Sequence, residues 1–558
     1  MKKTDMRCVR GVDRLGRAVP QTDGRRDRLV GIFYFVCNSS RYDHAPVDVS
    51  KVIAEDPTAA TDMDHPAWTG GAYWGEPLFG YYMTEDEWVI RRHVEMLGFA
   101  DVDFIVFDTT NRVIFYDQVM KIMSVLEEYI DAGCPAPKVV FYTNTESGAT
   151  VDELYDRIYS KGAYKKTWFE LDGKPLIIDK PGECSPEARD FFTHRVSQWP
   201  LEEQREDGFP WMEFIRPQRV YRNKDGAPEI VNVSVAQHPN CAHSDSAFFG
   251  EDGAWGRSYH DGRMDIRENA VQYGFNFAEQ WEYALKVDPE MVFVTGWNEW
   301  TAGQWRWDRR EPFTYTVSND EGEFTYYRAG IQEMRAVMCD CCSLEYSRDI
   351  EPMKGGYFDN YYMQLVEYIR RYKGGEADPT DDGDGLLYTD YPAWKLPRDA
   401  DGNGNTHYCA PACVNDIRTM TVRSEGDRVV FTAECAEAIR PEGNYMRLYV
   451  VPVDQEHYGS VLAPYKTKTF IFTPDGSARM RLNKQTTALD GVAVSVDGAA
   501  IRYEIPKKLL GLPEDGGFAL DFKWADGVDG DTVEDFYLRG DAAPYGRLCY
   551  RYRYAPSC

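Results

Sequence analysis

The residues best suited to chemistry lie in the run Gly296-Trp297-Asn298-Glu299-Trp300, at the end of the apolar stretch Met291–Trp297. Apolar walls disfavour a carboxylate, so the two indoles would raise the pKa of Glu299 and let it hold a proton for a leaving oxygen near neutral pH. The ring faces of Trp297 and Trp300 offer stacking surface to the C–H faces of a sugar. The amide of Asn298 can hydrogen-bond a ring hydroxyl. The same run also suits an aromatic rim plug with a salt-bridged Glu. Exposed aromatic surface with nothing to bind is disfavoured, which favours the site reading.

Glycosidic cleavage uses two carboxyl groups, roughly 5–10 Å apart depending on mechanism. Candidates for the second are Asp108, Glu146, Asp349 and Glu351. Asp108 ends an apolar run and precedes Thr109, Thr110 and Asn111; it serves equally as a cap for the next helix. Glu146 is either a substrate-binding group or an exposed loop charge, and Glu351 either a catalytic group or the anchor of a loop before Pro352. Gln237 and His238 suit sugar hydroxyls. Trp74 and Tyr82 are aromatic-wall candidates or core residues. The segment Trp255–Gly262 either lines a subsite or covers the mouth. His238, His243 and Asp245 lack metal-ligand spacing, and Cys339, Cys341, Cys342, Cys409 and Cys413 lack the paired C-x2-C pattern. No metal or cofactor is expected. Gly-x-Ser-x-Gly and Walker motifs are absent from the sequence, which removes the common acyl- and phosphoryl-transfer readings.

These residues need a scaffold, and the sequence supplies one. Val30–Val36, Asp103–Thr109, Lys138–Asn144, Lys174–Asp179, Trp211–Ile215, Val231–Gln237, Met291–Trp297 and, more weakly, Leu344–Ile350 read as buried strands. Helical periodicity marks Asp86–Leu97, Tyr116–Ala132, Val151–Ser160, Phe277–Val287 and Tyr361–Tyr372, the last closed by Gly374 and Gly375. Strands alternating with helices predict an α/β fold, a (β/α)8 TIM barrel, over residues 29–375 after an N-terminal extension, 1–28. The acidic stretch Glu376–Gly385 reads as a linker. Short alternating runs with turn signals over 386–558 predict an all-β sandwich.

Composition narrows the partners. The 558 residues carry 63 basic and 91 acidic side chains, a net charge of −28, which disfavours nucleic acid and anionic membrane surfaces. No apolar run reaches the length of a membrane span, and no apolar h-region follows the basic start, so the expected location is cytoplasmic; a chain that had lost a secretory leader would read the same. The expected partner is a carbohydrate. Oligomeric state leaves no mark in the sequence.

The run Val292–Trp300 (VFVTGWNEW), with Asp349-Ile350-Glu351-Pro352 and the Tyr-rich helix after it, resembles the glycoside hydrolase family 99 and 71-like barrels. Trp74-Gly75, Gly80-Tyr81-Tyr82 and the helix from Asp86 to His93 resemble that group's first loop and helix. The resemblance implies a retaining glycosidase for α-linked sugars such as mannosides, in which the substrate's own 2-hydroxyl attacks the anomeric carbon with help from one carboxylate while a second acts as acid/base. The family motif continues Asn-Glu-Trp-x-Glu-Gly. Glu299 matches its first Glu; Ala302 stands at the second, and residues 301–349 separate the motif from Ile350-Glu351-Pro352. Either the partner carboxylate comes from elsewhere, or the mechanism differs, or the barrel only binds glycan. The first reading gives an α-glycoside hydrolase with Glu299 as principal carboxylate; the alternative is a non-catalytic carbohydrate-binding protein.

Residues 386–556 resemble carbohydrate-binding module family 9 through Asn415-Asp416-Ile417, Asn444-Tyr445-Met446-Arg447-Leu448, Phe522-Lys523-Trp524-Ala525-Asp526, Asp535-Phe536-Tyr537-Leu538 and Gly540-Asp541-Ala542-Ala543-Pro544. That likeness implies glycan capture, with Trp524 as stacking ring or core residue. Asp399, Asp401, Asn403 and Gly404 match the start of a calcium loop, but Ala410 stands where its closing Glu belongs.

Overall fold

The computed structural model describes residues 1–22, 24–38, 42–60, 62, 64–68, 71–200, 202–237, 255–302, 304–307, 313–328, 335–338, 343–375, 378–440, 446–453, 468–482, 485–528 and 532–556. Its central sheet contains eight parallel strands: β1 (Leu29–Tyr34), β2 (Phe104–Thr109), β3 (Lys138–Thr143), β4 (Lys174–Asp179), β5 (Thr193–Gln198), β6 (Gly208–Pro210), β7 (Pro228–Ser234) and β8 (Met291–Thr295). They run in the order β6-β5-β4-β3-β2-β1-β8-β7. The sheet curls into a nearly closed barrel. At the seam Asn232 of β7 accepts the backbone N–H of Glu213, beyond β6, at 3.1 Å.

Alternation along each strand sorts the side chains. Phe33, Phe104, Val106, Val140, Tyr142, Ile178, Phe209 and Phe293 pack together inside the barrel, while Ile32, Ile105, Val139 and Val292 face the helices. Gly31 has no side chain because a Cβ there would stand 2.2 Å from the ring of Phe104. The helices include α1 (Glu87–Phe99), α2 (Tyr116–Asp131), α3 (Ser147–Arg157), α4 (Pro186–Phe191), α5 (Phe275–Val287) and α6 (Asn360–Lys373). None of the described helices is long and apolar enough to cross a membrane.

Three strand assignments change. Thr193–Gln198 (THRVSQ) is a barrel strand with little apolar content, so hydrophobic periodicity passes over it. Leu344–Ile350 is not a strand: β8 already pairs with β1 on one edge and β7 on the other, leaving no ladder for it to join. Met291–Thr295 is therefore the eighth barrel strand rather than the seventh, and Trp211–Ile215 follows β6 rather than forming it.

Beyond the barrel lie β9 (Leu386–Thr389), β10 (Arg398–Asp401), β11 (His407–Ala410), β12 (Ile417–Glu425), β13 (Arg428–Cys435), β14 (Arg447–Pro452), β15 (Thr469–Phe472), β16 (Ala478–Leu482), β17 (Gln485–Leu489), β18 (Ala493–Asp497), β19 (Ala500–Pro506), β20 (Phe518–Asp526) and β21 (Cys549–Tyr554). Two largely antiparallel sheets form, β9-β12-β13-β19-β18 and β21-β20-β14-β15-β16-β17, with β10 and β11 as a separate hairpin. The chain's start belongs to these sheets: Lys2–Lys3 pairs with β9 and Val9–Arg10 with β21. Barrel and sheets are pinned by buried charges. Arg547 grips Asp359, at the head of α6, at 2.6 and 2.9 Å, and Arg398 pairs with Asp86 at 2.7 Å. Trp524 is fully buried beside Tyr503, which makes it core rather than a sugar platform.

Candidate active site

In a parallel barrel the strands' C-terminal ends meet at one mouth. β1 lies between β2 and β8, so Asp108, at the end of β2, and Glu299, after β8, flank the loop that follows β1. Backbone bonds past the strand ends fix that loop. Trp297 donates its N–H to Phe33 O at 2.8 Å. Asn298 accepts the N–H of Phe35 at 2.8 Å through Oδ1 and donates to Phe35 O at 3.1 Å through Nδ2. Its amide is occupied as a clasp between β8 and β1 rather than open to a ligand.

The segment 348–351 docks on the same strand end despite its distance in sequence. Gly296 donates its N–H to Arg348 O at 3.0 Å, and Glu351 donates its own to Trp297 O at 2.9 Å. Arg348 turns back to place Nη2 3.2 Å from Oε2 of Glu299. The Glu299 side chain is 14% exposed and that of Arg348 1%. An arginine partner favours the charged carboxylate, which opposes the proton retention expected from indole walls.

Asp349 is fully buried, and burial pushes its carboxyl up to about 6. The backbone N–H of Glu299 and the cations Arg348 and Arg257 pull it down, while the charge of Glu351 pushes it further up. Arg257 runs beneath the site. It donates to Asp349 O at 2.6 Å and Ser347 Oγ at 2.9 Å, and its guanidinium lies 4.5 Å from the ring centre of Tyr361.

Glu351 is enclosed. Oε2 accepts from Tyr82 Oη at 2.8 Å and from the indole N–H of Trp300, and Oε1 meets His93 Nε2 at 2.9 Å. His93 Nδ1 lies 2.8 Å from Tyr34 Oη. One tautomer satisfies both contacts: Nε2–H donates to Glu351 and Nδ1 accepts from the Tyr34 hydroxyl. Burial and the charge of Glu351 push both Tyr34 and Tyr82 well above the usual phenol range. Trp74 stacks on Trp300 with centroids 4.2 Å apart and donates to Glu299 O at 2.7 Å. Trp74, Trp297, Trp300 and Tyr82 are all buried, so none presents a ring face to solvent. Tyr82 and Trp300 hold the carboxylate of Glu351 instead, and Trp74 holds the backbone carbonyl of Glu299.

On the other flank, Asp108 is half-buried and accepts the N–H of Thr110 at 2.9 Å in a local turn. Cys37 sits between the flanks. Burial, then the negative charge of Glu299, with a smaller contribution from Asp108, pushes its thiol up to about 12. Both carboxylates therefore act on one position in the mouth.

The remaining sequence candidates lie elsewhere. Glu146 opens α3 with its side chain 70% exposed and ion-paired to Arg112 at 3.5 Å. Gln237 is fully buried, donating to Glu213 O at 2.8 Å and accepting from Arg216 and Gln280. His238, His243 and Asp245 lie outside the described residues. The segment Trp255–Gly262 contributes Arg257 from below. Sequence reasoning missed Arg348 and His93, whereas Arg257 lies in the marked segment Trp255–Gly262. Arg348 stands beside Asp349 in the sequence, which was a signal; His93 sits on a mostly apolar helix with nothing to mark it.

No family model matches the chain, and no curated protein matches it. Among solved structures it is similar to the GH99 endo-alpha-mannosidase from Bacteroides thetaiotaomicron, seen with BIS-TRIS-propane at 14% identity and a TM-score of 0.34, covering 62% of this chain and 97% of that one. A second structure of that enzyme also shares 14% identity at a TM-score of 0.34, covering 63% and 100%.

Proposed function

We propose that this protein is a glycoside hydrolase for an α-linked glycoside or oligosaccharide, mannoside-like in class, with Glu299 as principal carboxylate and Asp108 as its partner. The observation that carries the reading is the placement of Glu299 and Asp108 on either side of Cys37, at the mouth ends of β8 and β2, one strand apart. Strands in a sheet stand about 4.8 Å apart, so two spacings place the strand ends about 10 Å apart. A separation of about 10 Å is the outer end of the roughly 5–10 Å range that glycoside cleavage uses. Glu299, beside Arg348, is set up to act as the anion. Asp108 supplies the second carboxyl group that Ala302 does not. Glu351 becomes a positioning residue: it orients Tyr82, Trp300 and His93 around the loop that carries the site.

Glycan binding without hydrolysis is the second reading, and Ala302 favours it. That residue is buried, and its N–H is spent on Ala72 O at 2.8 Å.

Release of reducing sugar from a panel of α- and β-linked glycosides tests both. Wild type should cleave α-linked members, and Glu299→Gln and Asp108→Asn should each lose at least about a hundredfold in kcat/KM, roughly the scale of a positioned acid or base. Cleavage indifferent to both substitutions overturns the assignment. Sugar binding with no cleavage by wild type establishes the second reading.

A further inference from the structure

The hairpin of β10 and β11 carries chemistry that the site does not use. Its register sets Asp399 opposite Cys409 and Asp401 opposite His407. Side chains alternate along a strand, so these four share one face. The other face packs inward. Arg398 pairs with the buried Asp86, and Tyr408 Oη accepts the N–H of Tyr81 at 2.7 Å. The turn is anchored as well, since Asn403 donates Nδ2 to Tyr73 Oη and its backbone N–H to Tyr81 O, each at 2.6 Å. Asn403, which matches the start of a calcium loop in the sequence, is buried in this anchor. The outer face is fixed by its inner one and left open to solvent.

On this outer face, a donor atom each from Asp399, His407 and Cys409 lie within 4.8 Å of one another. His407 meets Asp399 through Nε2 at 2.8 Å and Asp401 through Nδ1 at 2.9 Å. One imidazole bridging two carboxylates resembles the second-shell arrangement of metal-bound histidines, in which a carboxylate holds one ring N–H and so aims the other nitrogen at the ion.

We propose that this face binds a divalent transition-metal ion of the zinc class through an Asp399 carboxylate oxygen, His407 Nε2 and Cys409 Sγ. Asp401 keeps the Nδ1 proton and orients the ring, and water completes a tetrahedral set. The ion takes the place of the proton between Nε2 and Asp399. The Cys409 thiol also loses its proton, and both protons pass to solvent. Thiolate and imidazole together select zinc or cobalt over calcium and magnesium, which take oxygen donors.

The test is titration of the metal-freed full chain with Co2+, read by the visible bands of tetrahedral cobalt and the near-ultraviolet thiolate-to-cobalt band. Wild type should show a saturable signal that Zn2+ displaces. Cys409→Ser should lose one equivalent of the thiolate band, and His407→Ala the same equivalent of tetrahedral signal. Asp401→Asn should weaken binding by roughly 10–100-fold, the scale of a second-shell partner. All three residues are exposed, so a matching thermal midpoint without metal confirms that the fold is unchanged. Absence of the thiolate band in wild type, or equal cobalt equivalents in wild type, Cys409→Ser and His407→Ala, overturns the proposal. Cys413→Ser, on a neighbouring thiol, is the control that should leave the signal intact.

Discussion

Arg348 holds Glu299: Nη2 lies 3.2 Å from Oε2, with the guanidinium buried and the carboxylate just reaching the barrel mouth. A cation at that distance fixes the carboxylate in place and in charge. Arg348→Met should therefore lower kcat/KM for the proposed α-glycoside cleavage by about tenfold or more. Arg348→Lys should restore part of it. An unchanged kcat/KM would separate the pair from the chemistry.

Asp349 gives a prediction about stability rather than rate. Burial raises its carboxyl from 3.8 to about 6. Between those values the folded chain binds more protons than the unfolded chain, so the contribution of this group to stability falls as pH rises. Below the unfolded value the penalty vanishes; above the folded value it is fully present, at most about 3 kcal/mol. Asp349→Asn keeps an oxygen to accept the N–H of Glu299 and removes the charge. Urea unfolding should show the variant gaining on wild type from acid to neutral pH, with the difference levelling off above the folded pKa. A pH-independent difference would mean that Asp349 titrates at its ordinary value.

Glu351 is argued to position its neighbours, and two substitutions separate that from a catalytic role. Glu351→Ala leaves Tyr82, Trp300 and His93 without their shared acceptor in a site closed to water, and each stranded donor costs about 1–3 kcal/mol. The thermal midpoint should fall sharply. Glu351→Gln retains an acceptor oxygen and should recover most of the midpoint and of kcat. A Gln variant that is stable but has lost activity as fully as Glu299→Gln would make Glu351 catalytic.

How much of this was legible in the sequence depended on the kind of signal. β1, β2, β3, β4 and β8 are continuous apolar runs because both faces of a parallel strand are buried, and such runs are hard to misread. Thr193–Gln198 escaped because its alternation is mostly polar on a strand whose outer face is only half covered. Leu344–Ile350 (LEYSRDI) was misread because Leu344, Tyr346 and Ile350 alternate with polar residues as they would on a half-buried strand; only the occupied edges of β8 exclude it. At the site, Glu299 and Asp108 follow from the rule that barrel strands end at the mouth. The indoles were legible as important but not in their role, since a sequence does not distinguish a ring facing a ligand from one stacked on a neighbour, as Trp74 is on Trp300. The roles of Arg257 and Arg348 needed the docking of 348–351 on β8, a contact between distant segments; in the sequence each stood only within or beside a marked stretch.

The joint between barrel and antiparallel sheets makes the last prediction. Asp359, at the head of α6, is fully buried and accepts from both arms of Arg547 and from Tyr537 Oη at 3.1 Å. Removing one member of a buried pair strands the other charge and costs about 3–5 kcal/mol, whereas replacing both with apolar groups of similar size is often neutral. Asp359→Ala should lower the midpoint by several degrees and pull the barrel transition away from that of the sheets in calorimetry. The double variant Asp359→Leu/Arg547→Met should recover most of the loss, because packing then replaces the ion pair and no charge is left behind. A single variant as stable as wild type would mean that the joint is held by its apolar contacts, among them Tyr391 against Phe99 and Tyr129, and that the arginine only completes a seal they already make.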